Sequence, residues 1–356
     1  MPAAAAPPSL IAWPDAQRET AFRAWLAPLC ERFALDAASL APASADASFR
    51  RYFRLTGARR SLIVMDAPPP QEDVRPFVDI AQRLQAAGLH APEVLATDAE
   101  HGFVLLADLG QTLYLDALQT ASTAQADALM RDAVNALVQL QQRMDTNGLP
   151  AYDSPLLQRE LSLFDTWCVA REHNIRWTPA QHQQWQRICE LLIGSALAQP
   201  QLAVHRDWMP RNLMVTEPNP GILDFQDAVC GPVTYDIASL LRDAFLSWDE
   251  DREIDWAVRW WQQARSAGLL AGHAMESDFG ECWRALEWMG LQRHLKVLGI
   301  FCRLKHRDGK PRYSADLPRF FAYVTKVALR YRELKPLIAL IEPMTGPLVT
   351  TGFTMR

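Results

Sequence analysis

Between Leu202 and Asp224 short apolar runs alternate with polar clusters, and this limits the segment to brief strands that present loops. Leu202, Ala203 and Val204 lead into His205-Arg206-Asp207, Leu213 to Val215 follow Asn212, and Ile222-Leu223 lead into Asp224-Phe225. H-R-D-x-x-x-x-N followed by D-F is the spacing of a phosphoryl-transfer catalytic loop. A hydroxyl attacking a γ-phosphate needs an acceptor for its proton, and Asp207 is the candidate. Magnesium prefers oxygen ligands, so the Asn212 amide and the Asp224 carboxylate are the candidates to bind it while phosphates and water complete the octahedron. Arg206 is expected to be structural. A turn capped by Asp and Asn explains any one of these residues and explains the three together poorly.

Composition fits an intracellular enzyme. A chain of 356 residues with 49% hydrophobic residues can fill two cores. A formal net charge of -5 argues against general nucleic-acid binding, which needs a concentrated basic face. No run approaches membrane-spanning length, and Met1-P-A-A-A-A-P-P has neither a positively charged start nor a long apolar centre. Residues 1–8 are therefore expected to be a disordered leader, and the chain cytoplasmic with no membrane partner. Cys30, Cys168, Cys189, Cys230, Cys282 and Cys302 are scattered without a C-x-x-C, as expected of reduced thiols.

Helical apolar spacing runs from Gln17 to Phe33. A hairpin is predicted from S48-F-R-R-Y-F-R-L, the turn T56-G-A-R-R and S61-L-I-V-M-D. A helix from Val74 to Ala87, stopped by Gly88, and strands at E93-V-L-A-T and G102-F-V-L-L-A-D follow. L109-G-Q-T interrupts the pattern, and long helices dominate thereafter. These signals predict an α+β chain with two lobes. Residues 1–108 would form a small β-rich N-terminal nucleotide-binding lobe, and residues 109–356 a larger, mainly helical catalytic and substrate-binding lobe.

That order of elements is protein-kinase-like, and D224-F-Q-D-A-V-C-G-P-V-T-Y-D-I-A-S-L resembles the stretch after the metal-binding aspartate in the aminoglycoside phosphotransferase and choline kinase superfamily. Within it, the chain resembles the anomeric N-acetylmuramate/N-acetylglucosamine kinases of bacterial cell-wall recycling. The resemblance rests on A47-S-F-R-R-Y-F-R, V64-M-D-A-P-P, R206-D-W-M-P-R-N-L-M, D236-I-A-S-L-L-R-D-A-F and H294-L-K-V-L-G-I-F-C-R-L-K-H-R-D-G-K, spread over Ala47 to Lys310. It implies ATP and Mg2+ as cofactors and an amino sugar phosphorylated on its anomeric hydroxyl. Kinases of another small alcohol, aminoglycoside or choline-like, and a non-catalytic pseudokinase are the rival readings.

One departure matters. The superfamily carries a phosphate-pairing Lys or Arg on the third strand, where this chain has Met65, and a thioether cannot replace that charge. Arg50 and Arg51 on the neighbouring strand are the candidates to take over, and solvated strand positions are the ordinary reading of each. By resemblance and position, the loop at Asp46 to Phe49, with Ser48 and Phe49, would meet the nucleotide phosphates, and the backbone at Ala107 and Leu109 the adenine.

Substrate candidates are less sharply marked. Asp227 reads equally as a sugar ligand or a loop brace, and Asp236 more readily as a cap or brace. Trp208 is a candidate for stacking on the sugar, although most tryptophans are core residues. Arg293, Lys296, Arg303 and Arg307 share a helical face that would attract a carboxylate if it lined the cleft, and that otherwise is a solvated basic stripe. Arg242 is a further candidate.

Overall fold

The computed structural model describes residues 11–45 and 49–345. The chain forms two units, the first made of residues 1–120 with 211–227 and the second of residues 121–210 with 228–356.

In the first unit α1 (Ala16–Phe33) begins at Asp15, whose carboxylate accepts from the Arg18 N–H at 2.7 Å. The strands β1 (Ala41–Ala45), β2 (Arg51–Thr56) and β3 (Ser61–Asp66) follow, then α2 (Val74–Ala86), β4 (Val94–Asp98), β5 (Phe103–Ala107) and α3 (Tyr114–Thr120). The sheet is antiparallel in the order β1-β2-β3-β5-β4. Phe22 and Leu26 of α1 pack against Phe53, Leu55, Leu62, Val64, Phe103 and Leu105. Period-2 alternation sends these strand residues to one face. Gly102, at φ +72°, makes the turn into β5, where an added Cβ would lie 1.9 Å from the Ala67 carbonyl oxygen. A short hairpin pairs Leu213 with Ile222 and Met214 with Gly221, and the Phe225 ring beyond it lies 4.7 Å from that of Phe77 on α2.

The second unit is mainly helical. It comprises α4 (Thr123–Arg143), α5 (Ser154–Leu163), a π-helical stretch over Phe164–Glu172, α6 (Pro179–Ala198), α7 (Tyr235–Leu241), α8 (Glu250–Ser266), α9 (Phe279–His306), α10 (Leu317–Arg330) and α11 (Pro336–Thr345). Both α4 and α6 open with full capping boxes, Ser122/Gln125 and Thr178/Gln181. Gln201–Val204 pairs antiparallel with Val229–Pro232 and presents the Asp207 loop. The long helix α9 is the axis of this unit, buried without a break from Ala285 to Gly299. At Gly299 a Cβ would come within 2.3 Å of the Leu163 backbone, so glycine permits the close approach of the turn where α5 becomes π-helical.

Several expectations need adjusting. The strand β1, Ala-Pro-Ala-Ser-Ala, was not expected, since it lacks the β-branched residues that mark a strand. The basic helix face is not a uniformly solvated stripe: Arg293 and Lys296 are buried, Arg303 is half-buried, and only Arg307 near the helix end is exposed. The six cysteines are free thiols, five of them buried. Among the described residues no helix is long and apolar enough to cross a membrane.

Candidate active site

The first unit brings Asn212 and Asp224 together. They flank the short hairpin, and the Leu223 N–H donates to the Asn212 carbonyl at 2.9 Å, which closes its open end. Asn212 Nδ2 donates to Asp224 Oδ2 at 3.4 Å, and Gln226 Nε2 donates to Asp224 Oδ1 at 2.9 Å. Asp224 sits at φ +58°, a left-handed conformation that a non-glycine residue keeps only where its surroundings impose it. Among the described residues no group of three or more His, Cys, Asp or Glu could hold a metal ion. An amide and a carboxylate alone form a hard, oxygen-rich pair that suits magnesium, which takes its remaining ligands from phosphates and water.

In the same unit the arginines separate by partner. Arg51 and Arg18 share the buried Asp66 carboxylate, and Arg51 also donates to the Ala12 carbonyl at 2.7 Å and lies 4.7 Å from the Trp13 ring centroid. This ties Arg51 to the packing of the N-terminal segment. Arg54 is held by Asp108, which also accepts from Ser61 and from the Gly110 N–H, so Asp108 braces the segment after β5. Arg50 pairs with Glu72 at 3.1 Å, just ahead of α2. Met65 is fully buried between Tyr52 and Val104 on the adjacent strands. Ala107 and Leu109 are half-buried and Phe49 is exposed, while Ser48 lies outside the described residues.

In the second unit Asp207 is half-buried on a loop tied down on both sides. Asp236, at the start of α7, accepts from the His205 N–H at 2.6 Å and the Arg206 N–H at 2.9 Å, which makes it the brace expected of it. Burial raises the Asp236 carboxyl to about 7 despite those two bonds. Arg206, at φ +76°, donates to Glu160 at 2.6 Å.

The structure corrects two substrate candidates. The Trp208 ring is fully buried and stacks edge-on against His205 at 5.5 Å, which places it in the core rather than on a surface open to a sugar. Arg242 is 1% exposed and lies between Glu253 at 3.3 Å and Glu287 at 2.8 Å, so its charge is already engaged. Asp227 is exposed. Arg293 is buried beside Met209, with Asp236 and Asp243 in electrostatic reach, and Lys296 is bound to Glu160 at 2.9 Å. Sequence reasoning missed Glu72, Glu160 and Gln226. Gln226 had a signal, since it stands where the D-F-G pattern has glycine, whereas Glu160 has no motif around it.

The model of the phosphotransferase enzyme family matches residues 39–275. The chain is 51% identical over 337 residues to the N-acetylmuramate/N-acetylglucosamine kinase of Pseudomonas putida, covering 94% of this chain and 95% of that one. It is 53% identical over 308 residues to that of Pseudomonas aeruginosa, covering 86% and 89%, and 44% identical over 341 residues to that of Neisseria meningitidis, covering 95% and 99%. Among solved structures it resembles a choline kinase from Cryptosporidium parvum, with a TM-score of 0.57 at 14% identity over 90% of this chain and 98% of that one. It also resembles an ADP-bound aminoglycoside phosphotransferase, with a TM-score of 0.54 at 13% identity over 88% and 99%. These likenesses bear on the fold alone, which is the protein-kinase-like α+β architecture expected: a small antiparallel sheet and a helix-rich remainder.

Proposed function

The chain belongs to the phosphotransferase enzyme family, and on that premise we propose that it transfers the γ-phosphoryl group of ATP to the anomeric hydroxyl of N-acetylmuramate and N-acetylglucosamine. The observation that carries this reading is identity of about half over nearly the full length of kinases named for those two sugars, in a chain that keeps Asp207, Asn212 and Asp224.

The residue roles follow from their chemistry. Asp207 orients the sugar hydroxyl and takes its proton as the new bond forms, which needs a carboxylate held still, as the Asp236 brace supports. Asn212 and Asp224 would hold magnesium, and Gln226 steadies Asp224 through its other oxygen. When bound, the ion neutralises and orients the nucleotide phosphates. The cation that Met65 cannot supply comes from Arg50, which stands one residue before β2 and pairs with Glu72, two residues before α2. Arg51 has Asp66 and Trp13 to hold and is the weaker candidate. The backbone at Ala107 and Leu109 receives the adenine, and exposed Asp227 is the candidate for the sugar hydroxyls.

Phosphorus NMR of the product formed from ATP and N-acetylmuramate tests the reading. A sugar 1-phosphate signal is expected. A 6-phosphate would move the reaction to another hydroxyl, and no product with either sugar would refute the assignment.

A further inference from the structure

The Asp207 loop is also held by its side chains, through a cluster assembled from three helices and the loop at Tyr152 of the same unit. One oxygen of Glu160 on α5, Oε1, accepts from Arg206 Nη2 at 2.6 Å and from Lys296 Nζ of α9 at 2.9 Å. The other, Oε2, accepts from the Tyr152 hydroxyl and from Gln292 Nε2 at 3.3 Å. The carboxylate thus has a donor for each of its lone-pair directions, at a side chain only 6% exposed. Lys296 donates as well to the Tyr235 hydroxyl at 3.0 Å.

Two cations on one buried carboxylate leave an excess positive charge, which is costly in a low-dielectric interior unless another anion stands near. Asp207 acts electrostatically on both Arg206 and Lys296. Charge in the cluster therefore balances when the Asp207 carboxylate is counted with Glu160. Arg206 also occupies the left-handed region, and the dihedrals there set the direction in which the next residue, Asp207, leaves the chain. The guanidinium anchor at Glu160 is one of the forces that hold it.

We propose that Glu160 and Lys296 are positioning residues for phosphoryl transfer: Glu160 anchors Arg206 in its left-handed conformation, Lys296 fixes Glu160, and together they aim the Asp207 carboxylate. The proposal rests on the reading of the chain as a sugar kinase.

The test is steady-state kinetics of Lys296→Met, Lys296→Arg and Glu160→Gln with ATP and N-acetylglucosamine, with the active fraction of each preparation titrated by nucleotide binding. Lys296→Met and Glu160→Gln should lower kcat about ten-fold or more per active site, with both KM values within about three-fold, and Lys296→Arg should recover most of the loss. A merely structural role would reduce the active fraction and leave kcat per active site unchanged, and that result overturns the proposal. If Glu160→Gln does not fold, Tyr235→Phe removes a single partner of Lys296. A lowered kcat at unchanged KM supports the proposal, and wild-type kcat in both Tyr235→Phe and Lys296→Met overturns it. Should the wild type phosphorylate neither sugar, the functional reading fails by itself, and ATP hydrolysis by the same variants then decides on positioning.

Discussion

Glu160 should make the stability of this protein depend on acid in a way that one substitution isolates. Burial works to raise its carboxyl, but Lys296 and Arg206 more than offset this and hold it down to about 2, against an ordinary 4.5. A carboxyl depressed in the folded state contributes stability that is present above the unfolded value and is lost as pH falls from 4.5 through 2. A shift of that size is worth about 3 kcal/mol at pH 7 and about 1.4 kcal/mol at pH 3, at 1.36 kcal/mol per unit. Glutamine at this position cannot ionise, so Glu160→Gln removes the pH-dependent part and leaves the other carboxyl groups in place. Urea unfolding of both proteins at pH 7, 5, 4 and 3 reads the difference directly. Wild type should exceed the variant most at pH 7, and the gap should narrow by about 2 kcal/mol on reaching pH 3. A gap that stays constant over this range would refute the view of Glu160 as an ionised hub.

Three further outcomes are expected at the residues proposed for catalysis, metal and phosphate. Asp207→Asn should retain ATP binding by calorimetry while kcat falls roughly 10²–10⁴-fold, and wild-type turnover would remove Asp207 from its role. Asp224→Ala should weaken nucleotide binding measured with magnesium far more than binding measured with chelator, and equal affinities across a magnesium titration would contradict the metal assignment. Arg50→Ala should raise KM for ATP several-fold, whereas Met65→Ala should lower the unfolding temperature at nearly unchanged KM; the reverse pattern would return the phosphate role to β3.

What the sequence disclosed was local in the chain. Asp207, Asn212 and Asp224 lie on short loops whose spacing is itself the signal, and β3 and α2 declare themselves by period-2 and period-3.6 patterns that need no distant partner. The strand β1 was hidden because Ala-Pro-Ala-Ser-Ala pairs through its backbone and has no side-chain pattern to read. The distribution of the arginines was hidden for another reason. Arg50, Arg51 and Arg54 look alike along the strand and are told apart only by Glu72, Asp66 and Asp108, which the fold brings to them. Glu160 and Lys296 are 136 residues apart, and nothing in either flanking segment announces the other. Burial of Arg293 and Lys296 was equally out of reach, since their helical spacing is the same on a solvated face as on one closed by α7 and the Asp207 loop.

The split of the first unit across the chain has a consequence for synthesis. Its sheet is finished by Thr120, yet His90, Thr112, Leu113 and Phe77 wait for partners at Ile222, Val215, Met214 and Phe225. At about 5–20 residues per second, the intervening residues 121–210 take roughly 5–18 s to leave the ribosome, and during that time the nascent sheet holds those positions open. A fragment ending at Thr120 should therefore emerge without the hairpin flanked by Asn212 and Asp224 and be prone to association, and a permuted gene that encodes residues 211–227 directly after residue 120 would close the unit in one continuous stretch.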